Sequence, residues 1–197
     1  MNVFFALALG AVSLYEQAIV VRLHEGFSGS NISYILIATP GGRLVDARWQ
    51  DPDTPVPVGS LVKPFTALAY GETHAFRYPE HVCRGTASNC WLPGGHGRVG
   101  IVEAIAQSCN AYFDALAAEL RYEDVATVAH RFSIAPPPER APAAAYVGRS
   151  GLWSVSPAGL VRALAALALG ARAASVARPD QRCSVNRYRL RNPHHSE

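Results

Sequence analysis

GSLVKPFTALAYGE, residues 59–72, carries Lys63, and no other lysine occurs in the chain; the rest of its 18 basic residues are arginine. A sequence that writes arginine wherever a positive charge suffices keeps one amine here. The amine has a chemical use that a guanidinium lacks. It can lose its proton and act as a base, whereas arginine stays charged in proteins. Ser60 stands three residues before it, and residues i and i+3 of a helix share a face. A serine hydroxyl is a weak nucleophile until a neighbouring base takes its proton. Burial or positive potential at a helix N-terminus lowers a lysine enough for that role.

The flanking sequence places this stretch at the start of a helix. Residues 32–49, ISYILIATPGGRLVDARW, read as strand, Pro-Gly-Gly turn and second strand. QDPDTPVPVGS, residues 50–60, is too rich in proline and aspartate for helix or interior strand and reads as a loop delivering Ser60. The helix that follows tolerates Pro64 in its first turn. Residues 73–98 read as loop. Helical patterns run from Val99 to Gln107 and from Ala111 to Leu120, interrupted by Ser108-Cys109-Asn110. Four prolines make residues 135–148 a loop. Ser156 and Pro157 are placed as N-cap and first residue of a last helix over 157–171.

Ser-x-x-Lys alone is a short pattern. A second one stands 48 residues after Ser60, in Ser108-Cys109-Asn110. Acyl transfer through serine uses Ser-x-x-Lys together with Ser-x-Asn or Ser-Asp-Asn. The second serine relays a proton, and the asparagine amide holds both the lysine and substrate backbone. On these residues the chain resembles the penicillin-binding transpeptidases. VGSLVKPFTALAYGE is similar to their nucleophile segment, and GHGRVGIVEAIAQSCNAYFDALAAEL to their second-motif region. TPGGRLVDARWQDPDTPVPVGS resembles the hairpin that leads to the nucleophile. SVSPAGLVRALAALA resembles their later Ser-Pro helix. The likeness covers about residues 30–170.

The resemblance implies an α/β (α+β) fold, a helical cluster against antiparallel strands. It implies acyl-serine chemistry on D-Ala-D-Ala stem peptides of peptidoglycan, and acylation by β-lactams. Carried over, Ser60 is the nucleophile, Lys63 its general base, and Ser108 and Asn110 the second motif. No cofactor and no metal is required by that chemistry. The family's third motif, Lys-Thr-Gly, follows the Ser-Pro helix, and no lysine follows Lys63 here. Arg149-Ser150-Gly151 has suitable residue types but precedes that helix. The expectation is therefore an incomplete transpeptidase fold over residues 30–172, truncated before its third motif and impaired in activity. Other readings are a non-catalytic penicillin-binding module and a serine β-lactamase, for which no carboxylate motif to activate a deacylating water is present.

The hydrophobic share, 49%, is ample for a core. The net charge of +3 is concentrated at the end, where Arg178, Arg182, Arg187, Arg189 and Arg191 occur, so the body offers no nucleic-acid footprint. Residues 173–197 read as a basic tail without apolar periodicity. Residues 1–29 form an apolar N-terminal segment, with an unbroken run from Val3 to Leu14. That run is too short for a membrane span. It fits an export signal or membrane-proximal anchor, which would place the chain outside the cytoplasm, and equally a buried first helix or strand. Cys83 and Cys90 fit a disulfide in an exported protein, free thiols, or a zinc site shared with His96. Cys109, between the two residues of the second motif, is expected to be a packing residue.

Overall fold

The computed structural model describes residues 13–176. The apolar run up to Val12, Cys183 and the basic tail from Ala177 lie outside the described residues. The first element is helix α1 (Leu14–Phe27), with Ser13 as N-cap. Ser13 Oγ accepts from the Glu16 N–H at 3.1 Å, and Glu16 Oε2 accepts from the Ser13 N–H at 2.8 Å. Each bond satisfies a donor that the helix start would otherwise leave orphaned. Helix α1 contributes no buried residue; the run read as export signal, anchor or buried element precedes it and lies, up to Val12, outside the described residues.

The hairpin follows as expected: β1 (Tyr34–Ala38) and β2 (Arg43–Arg48) pair antiparallel around a 3-10 turn at Pro40–Gly42. The register slips between Leu36 and Ile37, leaving Val45 as the extra residue of a bulge. The Pro/Asp stretch is not wholly loop. Val56–Pro57 form β3, which pairs with β6 (Ser154–Val155). A proline is tolerated there because a two-residue ladder asks little of its missing N–H.

Helix α2 (Lys63–Thr73) enters through a 3-10 turn at Gly59–Val62 and buries Lys63, Phe65, Thr66, Ala67, Ala69, Tyr70 and Gly71. Residues 73–98 correct the loop reading. They contain β4 (His81–Cys83), which pairs with β5 (Gly97–Val99). Helices α3 (Ile101–Ala106) and α4 (Asn110–Ala118) flank the Ser-Cys-Asn break. Helix α5 (Tyr122–Arg131) is an element the sequence reading left unassigned. One helical turn, α6 (Ala143–Tyr146), interrupts the proline-rich loop.

The last helix, α7, runs from Pro157 to Val176, longer than expected. Its start is as read: Ser156 Oγ accepts from the Gly159 N–H at 3.1 Å. It is anchored on the hairpin, where Arg162 Nε donates to the Gly42 carbonyl at 3.0 Å. The core lies among α2, α4, α5 and the strand pair β3–β6. Trp153, Tyr112, Phe65, Phe113 and Leu116 are its largest fully buried side chains, and Trp153 Nε1 donates to the Ala135 carbonyl at 2.8 Å. Among the described residues no helix is long and apolar enough to cross a membrane.

Candidate functional site

Lys63 is 2% exposed, an unusual position for an amine. Its Nζ donates to three oxygens, all from the Ser-Cys-Asn turn: the Ser108 carbonyl at 2.8 Å, Ser108 Oγ at 2.9 Å and Asn110 Oδ1 at 2.6 Å. These use the three protons of an ammonium group. The Phe113 ring lies 5.6 Å from Nζ. Burial lowers the Lys63 amine from its usual range to about 8. A nearby Arg149 charge acts in the same direction, and neighbouring anionic groups partly oppose both.

The turn that supplies the three acceptors is held in an uncommon conformation. Ser108 has φ +50°, which costs a non-glycine residue on the order of 1 kcal/mol. The surrounding backbone holds it there: the Ser108 N–H donates to Ile105 O at 3.1 Å and the Cys109 N–H to Ala104 O at 2.9 Å. The chain thereby ends α3 and starts α4 within four residues, with Ser108 and Asn110 facing Lys63. Cys109 between them is fully buried.

Ser60 lies in the 3-10 turn at the mouth of α2 and is exposed. Its backbone carbonyl accepts from the Lys63 N–H. Its hydroxyl makes no hydrogen bond among the described residues, so the structure gathers Lys63, Ser108 and Asn110 and leaves Ser60, one turn before Lys63 in the chain, outside that set. The turn is fixed from behind. A Cβ on Gly148, which sits at φ +77°, would fall 1.8 Å from the Gly59 carbonyl oxygen. Only glycine permits that approach. One helical turn further along, Thr66 Oγ1 donates to the Tyr146 carbonyl. The α6 segment therefore buttresses the start of α2.

Two neighbours were not singled out as a pair by sequence. Asp114, one turn after Asn110 on α4, meets Arg149 at 2.9 Å. Burial raises the Asp114 carboxyl, and Arg149 and then Lys63 counter it. Arg149 thus lies in the loop after α6 as an ion-pair partner, not on a strand as a third motif would. An acidic residue at i+4 from the motif asparagine was the available signal. The disulfide reading for Cys83 and Cys90 is also corrected. Cys83, Cys90 and Cys109 are all free thiols, and the first two sulfurs lie 3.5 and 3.4 Å from His96 Nδ1.

No family model matches the sequence, and no curated protein matches it. Solved structures do. The apo structure of the TP domain from Burkholderia pseudomallei penicillin-binding protein 3 is similar with a TM-score of 0.52 at 16% identity, over 77% of this chain and 54% of that chain. The chain spans about half the length of that structure. A likeness at this identity is one of fold. The described residues form part of a transpeptidase-like α/β arrangement, helices with small antiparallel ladders.

Proposed function

We propose that this chain is a penicillin-binding, D,D-transpeptidase-like protein of peptidoglycan synthesis, acting through an acyl-serine intermediate. The observation that carries the reading is the buried Lys63 amine, bound by three oxygens of the Ser108-Cys109-Asn110 turn and set one helical turn after an open serine. A lysine that served only packing would not sit 2% exposed at the end of an exposed nucleophile turn.

In this mechanism the ammonium first loses a proton to solvent, which an amine near 8 does readily at neutral pH. The freed lone pair takes the proton of Ser60 Oγ as it attacks the carbonyl carbon between the two D-alanines. The peptide C–N bond then breaks. The terminal D-alanine leaves with a proton passed from Lys63 through Ser108 Oγ, 2.9 Å away. An amine of a second stem peptide, or water, resolves the Ser60 ester. Asn110 keeps the lysine in place throughout. A β-lactam enters by the same attack, its amide opening on Ser60. Such substrates lie outside the cytoplasm, and that is the compartment proposed for the chain.

Lys63 is the last lysine of these 197 residues, so they supply no Lys-Thr-Gly motif to bind the substrate carboxylate. Losing a single oxyanion contact costs about 10²–10³ in rate, and turnover is proposed to be slow. One observation favours a second reading, a penicillin-binding module without turnover: all three ammonium protons are committed to the Ser-Cys-Asn turn and none to Ser60. Incubation with a fluorescent penicillin tests both. Covalent label on Ser60, absent from Ser60→Ala, supports the acyl-serine reading, and its absence from folded protein refutes it. Steady hydrolysis of a chromogenic cephalosporin would instead mark a β-lactamase.

A further inference from the structure

Behind the Ser-Cys-Asn turn lies a second cluster that the acyl-serine chemistry does not use. Cys83 ends β4, Cys90 follows the 3-10 turn at Gly85–Ser88, His96 precedes β5, and Cys109 is the middle residue of the turn. Their four ligand atoms lie within 4.8 Å of one another. The three cysteines are 1%, 5% and 0% exposed. We propose that Cys83, Cys90, His96 and Cys109 form a closed, four-ligand site for a thiophilic divalent cation, zinc above all.

Three of the six spacings are close to those of a tetrahedral ion. With Zn–S near 2.3 Å and Zn–N near 2.0 Å, ligand atoms stand about 3.5–3.8 Å apart. Cys90 and Cys109 sulfurs are 3.9 Å apart, and His96 Nδ1 is 3.5 and 3.4 Å from the sulfurs of Cys83 and Cys90. A disulfide would bring one pair to about 2 Å and leave a third thiol unpaired. His96 Nε2 is buried without a hydrogen-bond partner. With Nδ1 on the ion, Nε2 would carry the ring proton, so the proposal rests on the four-atom cluster and not on this nitrogen.

The backbone around the cluster is built to present sulfur. Cys109 is the N-cap of α4, so its sulfur is carried at a helix start, where the first N–H groups have no intrahelical acceptor and favour a negative ligand. The loop folds back tightly, with a Cβ on Gly95 (φ +77°) falling 2.3 Å from the Cys83 carbonyl oxygen. Four protein ligands leave no open position, which marks a structural rather than a catalytic ion. On binding, each thiol releases its proton to solvent. The ion would tie the β4–β5 hairpin to Cys109, and so hold Ser108 and Asn110 at Lys63.

The test uses the full chain carrying Cys183→Ser, so that every remaining thiol belongs to the cluster. Purified with zinc, it is expected to hold about one equivalent of metal and to show no reactive thiol, with all three exposed after chelation. Cobalt in place of zinc is expected to give thiolate charge-transfer bands and the visible bands of a tetrahedral ion. His96→Cys keeps the metal and shifts those bands, whereas Cys109→Ser loses it. Folded protein with under about a tenth of an equivalent after incubation with zinc, or with freely reacting thiols in its presence, overturns the proposal. So does mass-spectrometric detection of a disulfide within the cluster in freshly purified chain. Metal content and thiol protection are read without penicillin, so failure to label Ser60 in zinc-loaded protein counts against the acyl-serine reading alone.

Discussion

The pH dependence of Ser60 acylation tests the role given to Lys63. The perturbation is proton concentration, and its target is a buried amine lowered by desolvation to about 8. At pH 7 about a tenth of such amines are neutral, and at pH 9 about nine tenths. If the neutral amine is the base, the second-order rate constant for acylation by a fluorescent penicillin rises about tenfold across that interval, with its midpoint near 8. The assay is a set of quenched time courses at half-unit steps, read as fluorescence on the denatured chain, with circular dichroism at each pH. Lys63→Arg, which keeps the charge and cannot lose its proton, is expected to lose about 10²–10⁴ in rate and to lose the pH step. A constant rate between pH 7 and 9 in folded protein would refute the reasoning, as would an unchanged profile in Lys63→Arg. The same shift has a stability counterpart. The folded amine binds its proton less tightly than the unfolded one, so the cost of burying the ammonium is full below about 8 and vanishes above the usual lysine range. Stability therefore rises with pH from about 8, by up to about 3 kcal/mol. The raised phenols of Tyr70, Tyr78, Tyr112 and Tyr146 act oppositely once they begin to titrate.

Asn110→Ala removes the shortest of the three bonds to Lys63 Nζ; acylation is expected to fall about 10–100-fold in quenched labelling, with an unfolding free-energy loss of about 1–2 kcal/mol. Gly148→Ala drives a methyl group into the Gly59 carbonyl at a positive φ and should cost about 2 kcal/mol or more in urea melts, whereas Gly29→Ala, with open space around it, should stay within about 0.5 kcal/mol. Trp153→Ala deletes the largest buried side chain and leaves the Ala135 carbonyl without its donor, a loss of about 3–5 kcal/mol by the same measurement.

What the sequence made legible was local. Ser156-Pro157 and the Pro-Gly-Gly hairpin announce themselves within a few residues, because caps and turns are short-range chemistry. The pairing of Lys63 with Ser108 and Asn110 was legible only through the resemblance, since nothing in the spacing of 45 and 47 residues requires contact. The β4–β5 ladder was missed because three residues on each side carry no usable alternation, and their order comes from the loop packed between them. Helix α5 was missed despite Val125, Ala126, Val128 and Ala129 lying on one buried face, a pattern short enough to be hidden beside the proline run. Cys109 was read as packing, and its burial agrees. What sequence could not supply was its distance to Cys90, which depends on how a hairpin and a helix start meet.

The contacts that hold the nucleophile turn have a consequence for the order in which the molecule assembles. Lys63 is bound across 45 and 47 residues, and Thr66 meets Tyr146 across 80. Each closes a loop whose entropy must be met before the contact returns anything. Helix α2 can form early, but Lys63 has none of its three oxygen partners, and the Ser60 turn before it no support, until α4 and the α6 turn have docked. A chain still emerging from synthesis, ended before residue 146, carries Ser60 and Lys63 without their setting. Under the proposed acyl-serine chemistry, reactivity toward a penicillin would arrive as a late event of folding, and labelling during refolding would date the closure of these loops.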